Sequence, residues 1–478
     1  MAMDNSTRQS APPTPEALLE AAIRARKEGD LARVARALDG VLKAAPHHPI
    51  PLRLRARVAL ERGEASALGR FDEALRADPG NAELHLGKAQ ALELSGDRKG
   101  ARIVAEQIAA QAPGFIAALS FLSSLYLAAG ESDFTAPFAA AAAKAPQDPN
   151  ILAAWINSFA GIERFADAAR IADQARAAFP AEPHFALLEA LNAGSAGDWD
   201  RAEAVFADLA LESAQRWLAE ARHRLRAGQI AMSQALVDKA LDTAPHDVAA
   251  WALQGIVWRL SETDEGKAKA RWLHEQAGLV QMRPLIAQDG LLERVRTRLE
   301  ALHEGAGMPL GQSLRGGSQT RGILLQRPEP EFAELHSAIL DTLKAYRDEL
   351  PDKDADHPLL KARDTPWRLA GSWSVRLTGE GDHHAAHIHP AGLISSALYV
   401  TVPQTANDAD KQGWLEIGRP PADLRLDLAP IASIQPKEGH LALFPSTLYH
   451  GTTRFARPPD QSARMTIAFD VITAQQGV

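Results

Sequence analysis

Near the C-terminal end of this 478-residue chain, four residues have the types and spacing that metal chemistry needs: His387, His389, His450 and Arg464. In an extended strand alternate side chains point the same way, so His387 and His389 share one face and Ile388 takes the other. Imidazole is a ligand for iron, zinc, copper and nickel. A third histidine beyond a second apolar strand can close on that pair from across a barrel. Arg464 can hold a dicarboxylate, because a planar guanidinium grips a carboxylate through two parallel hydrogen bonds and an ammonium does not. Residues 382–390 hold four of the chain's 16 histidines. Histidine-rich loops also collect metal adventitiously, so the first pair does not decide the matter alone.

The elements that must position these groups read as short strands. Residues 439–445 form an apolar run ending in Pro445, with His450 close behind. In residues 464–470, Met465, Ile467 and Phe469 fall on one face and Arg464, Thr466 and Asp470 on the other. A charged residue sharing a face with small polar ones suits a barrel interior; the competing reading is an edge-strand arginine facing solvent. Further strands are expected at 373–377, 393–402 and 413–417. Short strands at this spacing after helices suggest a small sandwich or barrel with flanking helices.

Taken in chain order, these features resemble the 2-oxoglutarate- and iron(II)-dependent dioxygenases. The quoted motifs are His387-Ile388-His389, Ser395-Ser396-Ala397-Leu398-Tyr399-Val400, Phe444-Pro445 before His450, and Arg464. More narrowly the chain is similar to bacterial and phage oxygenases, often fused to tetratricopeptide repeats, that are distantly related to prolyl and aspartyl hydroxylases. Gly316-Gly317-Ser318-Gln319-Thr320 and Trp373-Ser374-Val375-Arg376 fit that group. The resemblance spans residues 308–478 and implies a double-stranded β-helix. It implies Fe(II) as metal, with 2-oxoglutarate and O2 as co-substrates in the hydroxylation of a substrate carbon. His387 then corresponds to the proximal ligand, His450 to the distal one, and Arg464 to the partner of the distal carboxylate of 2-oxoglutarate. Arg464 lies 14 residues after His450, a long gap that implies a loop through residues 457–459 and leaves Arg454 as an alternative. Tyr399 and Thr466 correspond to further co-substrate contacts. One departure stands out: most of the superfamily has a carboxylate two positions after the first histidine, and here that position is His389. Either His389 completes a three-histidine set, or a water does; Asp382 has the wrong spacing. The pleat favours His389.

The first half of the chain is periodic. Pro46, Pro79, Pro113, Pro146, Pro180 and Pro245 recur at gaps of 33, 34, 33, 34 and 65 residues. Gly29, Gly63, Gly96, Gly130, Gly161, Gly197 and Gly228 alternate with them, and the sequence between is rich in Ala, Leu, Glu and Arg. The pattern predicts antiparallel helix pairs, with Gly in the turn inside each pair and Pro closing the second helix. It resembles the tetratricopeptide repeat, whose period is about 34 residues. About seven repeats are expected over residues 15–281 by the count of glycines. Stacked repeats build a concave surface, which makes a protein or peptide partner in the groove the expected ligand and a spacer the alternative. The tryptophans Trp155, Trp199, Trp217, Trp251, Trp258 and Trp272 read as packing between helices.

Residues 282–302 read as a capping helix, 315–320 as an irregular loop without the Lys-Ser/Thr ending of a phosphate loop, and 329–350 as an amphipathic helix. The expected organisation is a disordered N-terminus (1–13), a repeat α-solenoid (14–281), a cap and linker (282–307) and the β-helix domain (308–478). A net charge of -8 and a pI near 6.1 argue against nucleic-acid binding. With no cysteine, disulfides, thiolate metal sites and thiol nucleophiles are excluded. Residues 1–13 lack the pattern of a secretory signal and no apolar run spans a membrane, so a cytoplasmic protein is expected. Three functions are open at this point. They are an oxygenase acting on a protein or peptide, a non-catalytic repeat adaptor with a metal- or 2-oxoglutarate-sensing β-domain, and a three-histidine metalloenzyme that does not use 2-oxoglutarate.

Overall fold

The structure, a computed structural model, describes residues 13–379, 381–404, 411–457 and 461–474. The expected disordered N-terminus, residues 1–13, lies outside them except for Pro13. So does part of the loop expected after Arg457. Eight antiparallel helix pairs occupy the first part of the described chain. The first four are α1 (Pro15–Glu28) with α2 (Leu31–Ala44), α3 (Pro49–Glu61) with α4 (Ala67–Ala77), α5 (Ala82–Leu94) with α6 (Arg98–Gln111), and α7 (Ile116–Ala128) with α8 (Ala136–Lys144). The next four are α9 (Pro149–Ala160) with α10 (Phe165–Ala178), α11 (Pro183–Ala196) with α12 (Trp199–Asp208), α13 (Ala214–Arg226) with α14 (Ile230–Thr243), and α15 (Val248–Leu260) with α16 (Asp264–His274).

The punctuation works as expected at most turns. Gly29, Gly96 and Gly197 adopt positive φ, and the aspartates after them cap the next helix, Asp30 accepting from the Arg33 amide and Asp97 from the Gly100 amide. Two differences follow from local chemistry. The eighth pair escapes a count of glycines because its turn is Ser261-Glu262-Thr263, in which Thr263 caps α16 through the Gly266 amide. Gly161 has φ -64 and Glu163 takes the left-handed position instead. Gly161 is needed for another reason: a Cβ there would stand 2.5 Å from Gly311 Cα, in a loop of the second domain.

Residues 282–302 are not a capping helix. Residues 281–284 form strand β1 (Gln281–Pro284), which pairs with β9 (His440–Pro445) at the edge of the main sheet. Only α17 (Leu291–Glu304) is helical, and its Leu291, Val295 and Leu299 join the core of the β-domain. The main sheet is antiparallel and six-stranded, with order β1-β9-β6-β11-β4-β3. Its other members are β3 (Ser318–Gln319), β4 (Trp367–Leu377), β6 (Ile394–Thr401) and β11 (Arg464–Thr473). One face is covered by α17 and α18 (Pro330–Asp348), which enclose Leu398, Leu443, Met465, Ile467 and Phe469. Opposite the other face lie the pair β2 (Leu314–Arg315) and β5 (His383–His384), and the three-stranded β10-β7-β8, formed by β7 (Leu415–Ile417), β8 (Ala432–Ile434) and β10 (His450–Thr452). The chain is thus a helical solenoid followed by a two-layered antiparallel β-domain with flanking helices.

All eight turns inside the helix pairs approach the β-domain. The Leu31 amide donates to Gln326, the Ile323 amide to the Glu61 carbonyl, and Arg98 to the Gly305 and Ala306 carbonyls. A Cβ on Gly307 would stand 3.5 Å from Ala128 Cβ. Glu163 pairs with Arg315, and Ser195, Arg222 and Arg226 all reach Asp423. Arg259 donates to the Gly418 and Ala429 carbonyls. The repeats dock on their neighbour by one edge, at the helix-pair period. Trp251, Trp258 and Trp272 pack on one another with centroids 6.3 Å apart, as packing residues should. No helix among the described residues is long and apolar enough to cross a membrane.

Candidate metal and co-substrate site

A cavity of about 380 Å³ opens between the two β layers. Strand β11 sends Arg464, Thr466 and Asp470 into it, as alternation requires, while Met465, Ile467 and Phe469 face the helices. His387 and His389 do not lie on a regular strand. His387 forms an isolated bridge with His450, its amide donating to the His450 carbonyl at 3.0 Å and receiving the reciprocal bond at 2.9 Å. That bridge fixes two of the three rings opposite each other.

One ring nitrogen of each of His387, His389 and His450 falls within 4.8 Å of the other two. Their tautomers follow from what lies behind them. His387 Nδ1 is 2.9 Å from the Ala385 carbonyl and His450 Nδ1 is 3.1 Å from the Leu448 carbonyl. A carbonyl only accepts, so both Nδ1 atoms carry the proton and both Nε2 atoms present lone pairs. His389 Nδ1 lies against the Asp470 carboxylate, which turns its Nε2 toward the other two rings. The Nε2 atoms of His387 and His389 are 3.1 Å apart. Nitrogens at that separation would be within reach of one shared ion. Three converging ring nitrogens with acceptors fixed behind each ring are what a divalent cation needs. Burial and then His389 push His387 down to about 3. Burial, then His387 and His389, hold His450 well below the usual histidine range. These rings are neutral at pH 7 and compete for metal without first losing a proton.

Arg464 is buried. It donates to the Gly413 carbonyl, stands 5.2 Å from the Tyr399 ring centroid, and makes no ion pair among the described residues. The Arg464 guanidinium and the buried Tyr399 hydroxyl interact with each other, and no carboxylate among the described residues reaches either group. Burial lowers the Arg464 pKa, and the Tyr399 phenol opposes that fall. A buried guanidinium without a counter-ion is costly, and a carboxylate-bearing ligand offsets that cost. Thr466 lines the same wall. The alternative Arg454 is exposed and lines no part of this cavity. Asp382 faces away, accepting from the Thr378 amide and hydroxyl at 2.8 Å.

Three contributors were not singled out from the sequence. Alternation puts Asp470 on the correct face, but nothing in the local sequence points to its contact with His389. Ser313, from the loop pinned by Gly161 and Glu163, lies 3.2 Å from His387 Nε2 and 3.1 Å from His384 Nδ1. The third is the repeat array. Ile388 and Tyr449, the neighbours of the candidate ligands, pack with Leu225, Leu253 and Val257 of α13 and α15. Arg222 donates to the Tyr449 hydroxyl at 3.2 Å. Both segments that carry the candidate ligands are therefore anchored in repeat-derived core.

Comparison with known proteins agrees with this division. Residues 371–470 match the family model described as "Putative 2OG-Fe(II) oxygenase", and residues 64–125 match the tetratricopeptide repeat. No curated protein matches the chain. Among solved structures, a tetratricopeptide repeat protein from Parabacteroides merdae is 16% identical, over 48% of this chain and 92% of that one, with TM-score 0.31. A Pseudomonas putida prolyl-4-hydroxylase is 14% identical, over 43% of this chain and 96% of that one, with TM-score 0.29. The chain joins a tetratricopeptide repeat region to a domain of the 2-oxoglutarate–iron(II) oxygenase type.

Proposed function

We propose that the protein is an Fe(II)- and 2-oxoglutarate-dependent dioxygenase that hydroxylates a side chain of a protein or peptide brought by the repeat array. One observation carries this reading: three imidazole lone pairs converge in the same cavity as a buried guanidinium that has no ion pair among the described residues. Bound Fe(II) supplies the oxygen-activating chemistry that no side chain here can perform. His387, His389 and His450 hold the metal through Nε2. Arg464 anchors the distal carboxylate of 2-oxoglutarate, and the Tyr399 hydroxyl and Thr466 complete that end. Val375, Leu415 and Ala468 form apolar wall that limits water near the reacting centre.

A polypeptide substrate is supported by a second cavity of about 310 Å³ that adjoins the first through Gln312, Gln319 and Trp373. Glutamine amides both donate and accept, as a peptide backbone requires. The Trp373 ring lies 5.7 Å from the His389 ring, so a residue held against the indole sits beside the metal. For the array, the turn edge is taken up by the β-domain, which leaves helix faces such as that carrying Ile23 and Leu54 for a partner.

The test is conversion of 2-oxoglutarate to succinate by the purified protein with Fe(II) and O2. His450→Ala abolishes this turnover if the assignment is right. Turnover unchanged in that variant contradicts it, and binding of 2-oxoglutarate without oxygen-dependent turnover favours the non-catalytic adaptor.

A further inference from the structure

We infer that Asp470 is a positioning residue that supplies, through His389, the negative charge that a carboxylate ligand would otherwise bring to the metal. The inference rests on the reading of the cavity as a metal site and adds a residue to which no role has been assigned.

Three observations support it. Asp470 accepts the His389 Nδ1 proton, and His389 is its only ion-pair partner among the described residues. A carboxylate behind a ligating imidazole fixes the ring and raises the basicity of the nitrogen that faces the metal. Second, the extra residue in the pairing of β11 with β4 is Gly371 of β4, so β11 keeps its alternation through Phe469 and Asp470. That alternation brings the Asp470 carboxylate into the cavity beside His389. Third, Arg464 and Asp470 are the only Arg, Lys, Asp or Glu residues lining the cavity among the described residues. Their formal charges cancel. A divalent metal and a dianionic co-substrate would also cancel, so the formal charges of the loaded cavity would balance with Asp470 present. Without that carboxylate it holds one net positive charge among buried groups, where uncompensated charge is expensive. A position two residues after the first ligand that would normally carry the anion here carries His389, and Asp470 restores the charge one ring further back.

The experiment is anaerobic titration of the full chain with Co(II) alone, read by its absorption and by the paramagnetically shifted exchangeable Nδ1 protons of the ligands. The proteins are wild type, Asp470→Asn, Asp470→Ala and His387→Ala. Asparagine keeps an acceptor for Nδ1–H but loses the charge; alanine loses both. The expected result is a Co(II) Kd raised about 10–100-fold in Asp470→Asn. Its His389 proton resonance should move, and in Asp470→Ala it should be lost to exchange. Either variant serves if the other does not fold. Affinity within about twofold of wild type in both, with the resonance unmoved, overturns the role of Asp470 while leaving the metal site intact. Wild type binding Co(II) no better than His387→Ala overturns the metal site itself.

Discussion

Two buried polar clusters, one at the seam between repeats and β-domain and one in the cavity, use similar residues to opposite ends. At the seam Arg222 and Arg226 converge on Asp423, at 2.8 and 2.6 Å. Burial alone would raise the Asp423 carboxyl, but the two guanidinium groups hold it below the usual range. Burial and Arg222 push Arg226 down to about 10. One Arg226 nitrogen is left over, and the other contacts close among protein groups. In the cavity Arg464 reaches a carbonyl and an aromatic face but no carboxylate, and three imidazoles present lone pairs to one another. A cluster that serves architecture ends its charges on itself. The cavity cluster aims charge and lone pairs at space between the layers, which is the property expected of a binding site.

The comparison can be broken at either end. The largest expected effect is at the metal: His450→Ala should reduce 2-oxoglutarate turnover by about a thousandfold or more, since a bound metal supplies several kcal/mol of charge stabilisation. At the seam, Asp423→Ala strands two buried guanidinium groups and should cost about 3–5 kcal/mol of stability, measured by urea unfolding. Next comes Arg464→Ala, expected to raise the KM for 2-oxoglutarate about a hundredfold while Co(II) affinity holds. Arg464→Lys should recover only part of that, because it keeps charge without the fork. A subtler effect concerns pH. Burial pushes His303 and His357 down to about 4 and His274 to about 3. The unfolded chain therefore binds more protons between pH 6.5 and 4, and stability falls as pH drops through that window. Each group contributes a slope of about 1.4 kcal/mol per pH unit. His303→Gln should flatten the urea-midpoint profile by one such group. The smallest effect is Glu163→Ala, which breaks a half-exposed pair with Arg315 and should cost less than about 1 kcal/mol.

The sequence disclosed what is local. Proline and glycine mark the helix pairs because a turn's backbone demands them at each one, and the eighth pair was missed because serine and threonine do the same work there. Pleat alternation aimed Arg464, Thr466 and Asp470 together without knowledge of the fold. The shared side of His387 and His389 was also legible, although the bridge to His450 and not a regular strand holds it. What stayed hidden depends on distant segments meeting. Strand β1 is four residues long and exists because β9 offers it an edge. Ser313 reaches His387 across 74 positions, and Asp470 reaches His389 across 81. The anchoring of Ile388 and Tyr449 in repeat core has no counterpart in any local pattern.

In the proposed function, three imidazoles and one guanidinium form a single site for Fe(II) and 2-oxoglutarate. Its most direct test is anaerobic titration of the full chain with Fe(II) and then 2-oxoglutarate, followed by the charge-transfer absorption of the chelate. A saturable band is expected in wild type, none in His450→Ala, and in Arg464→Ala a band that needs far more 2-oxoglutarate. A band of equal strength and midpoint in all three proteins, or no band in wild type, would contradict it.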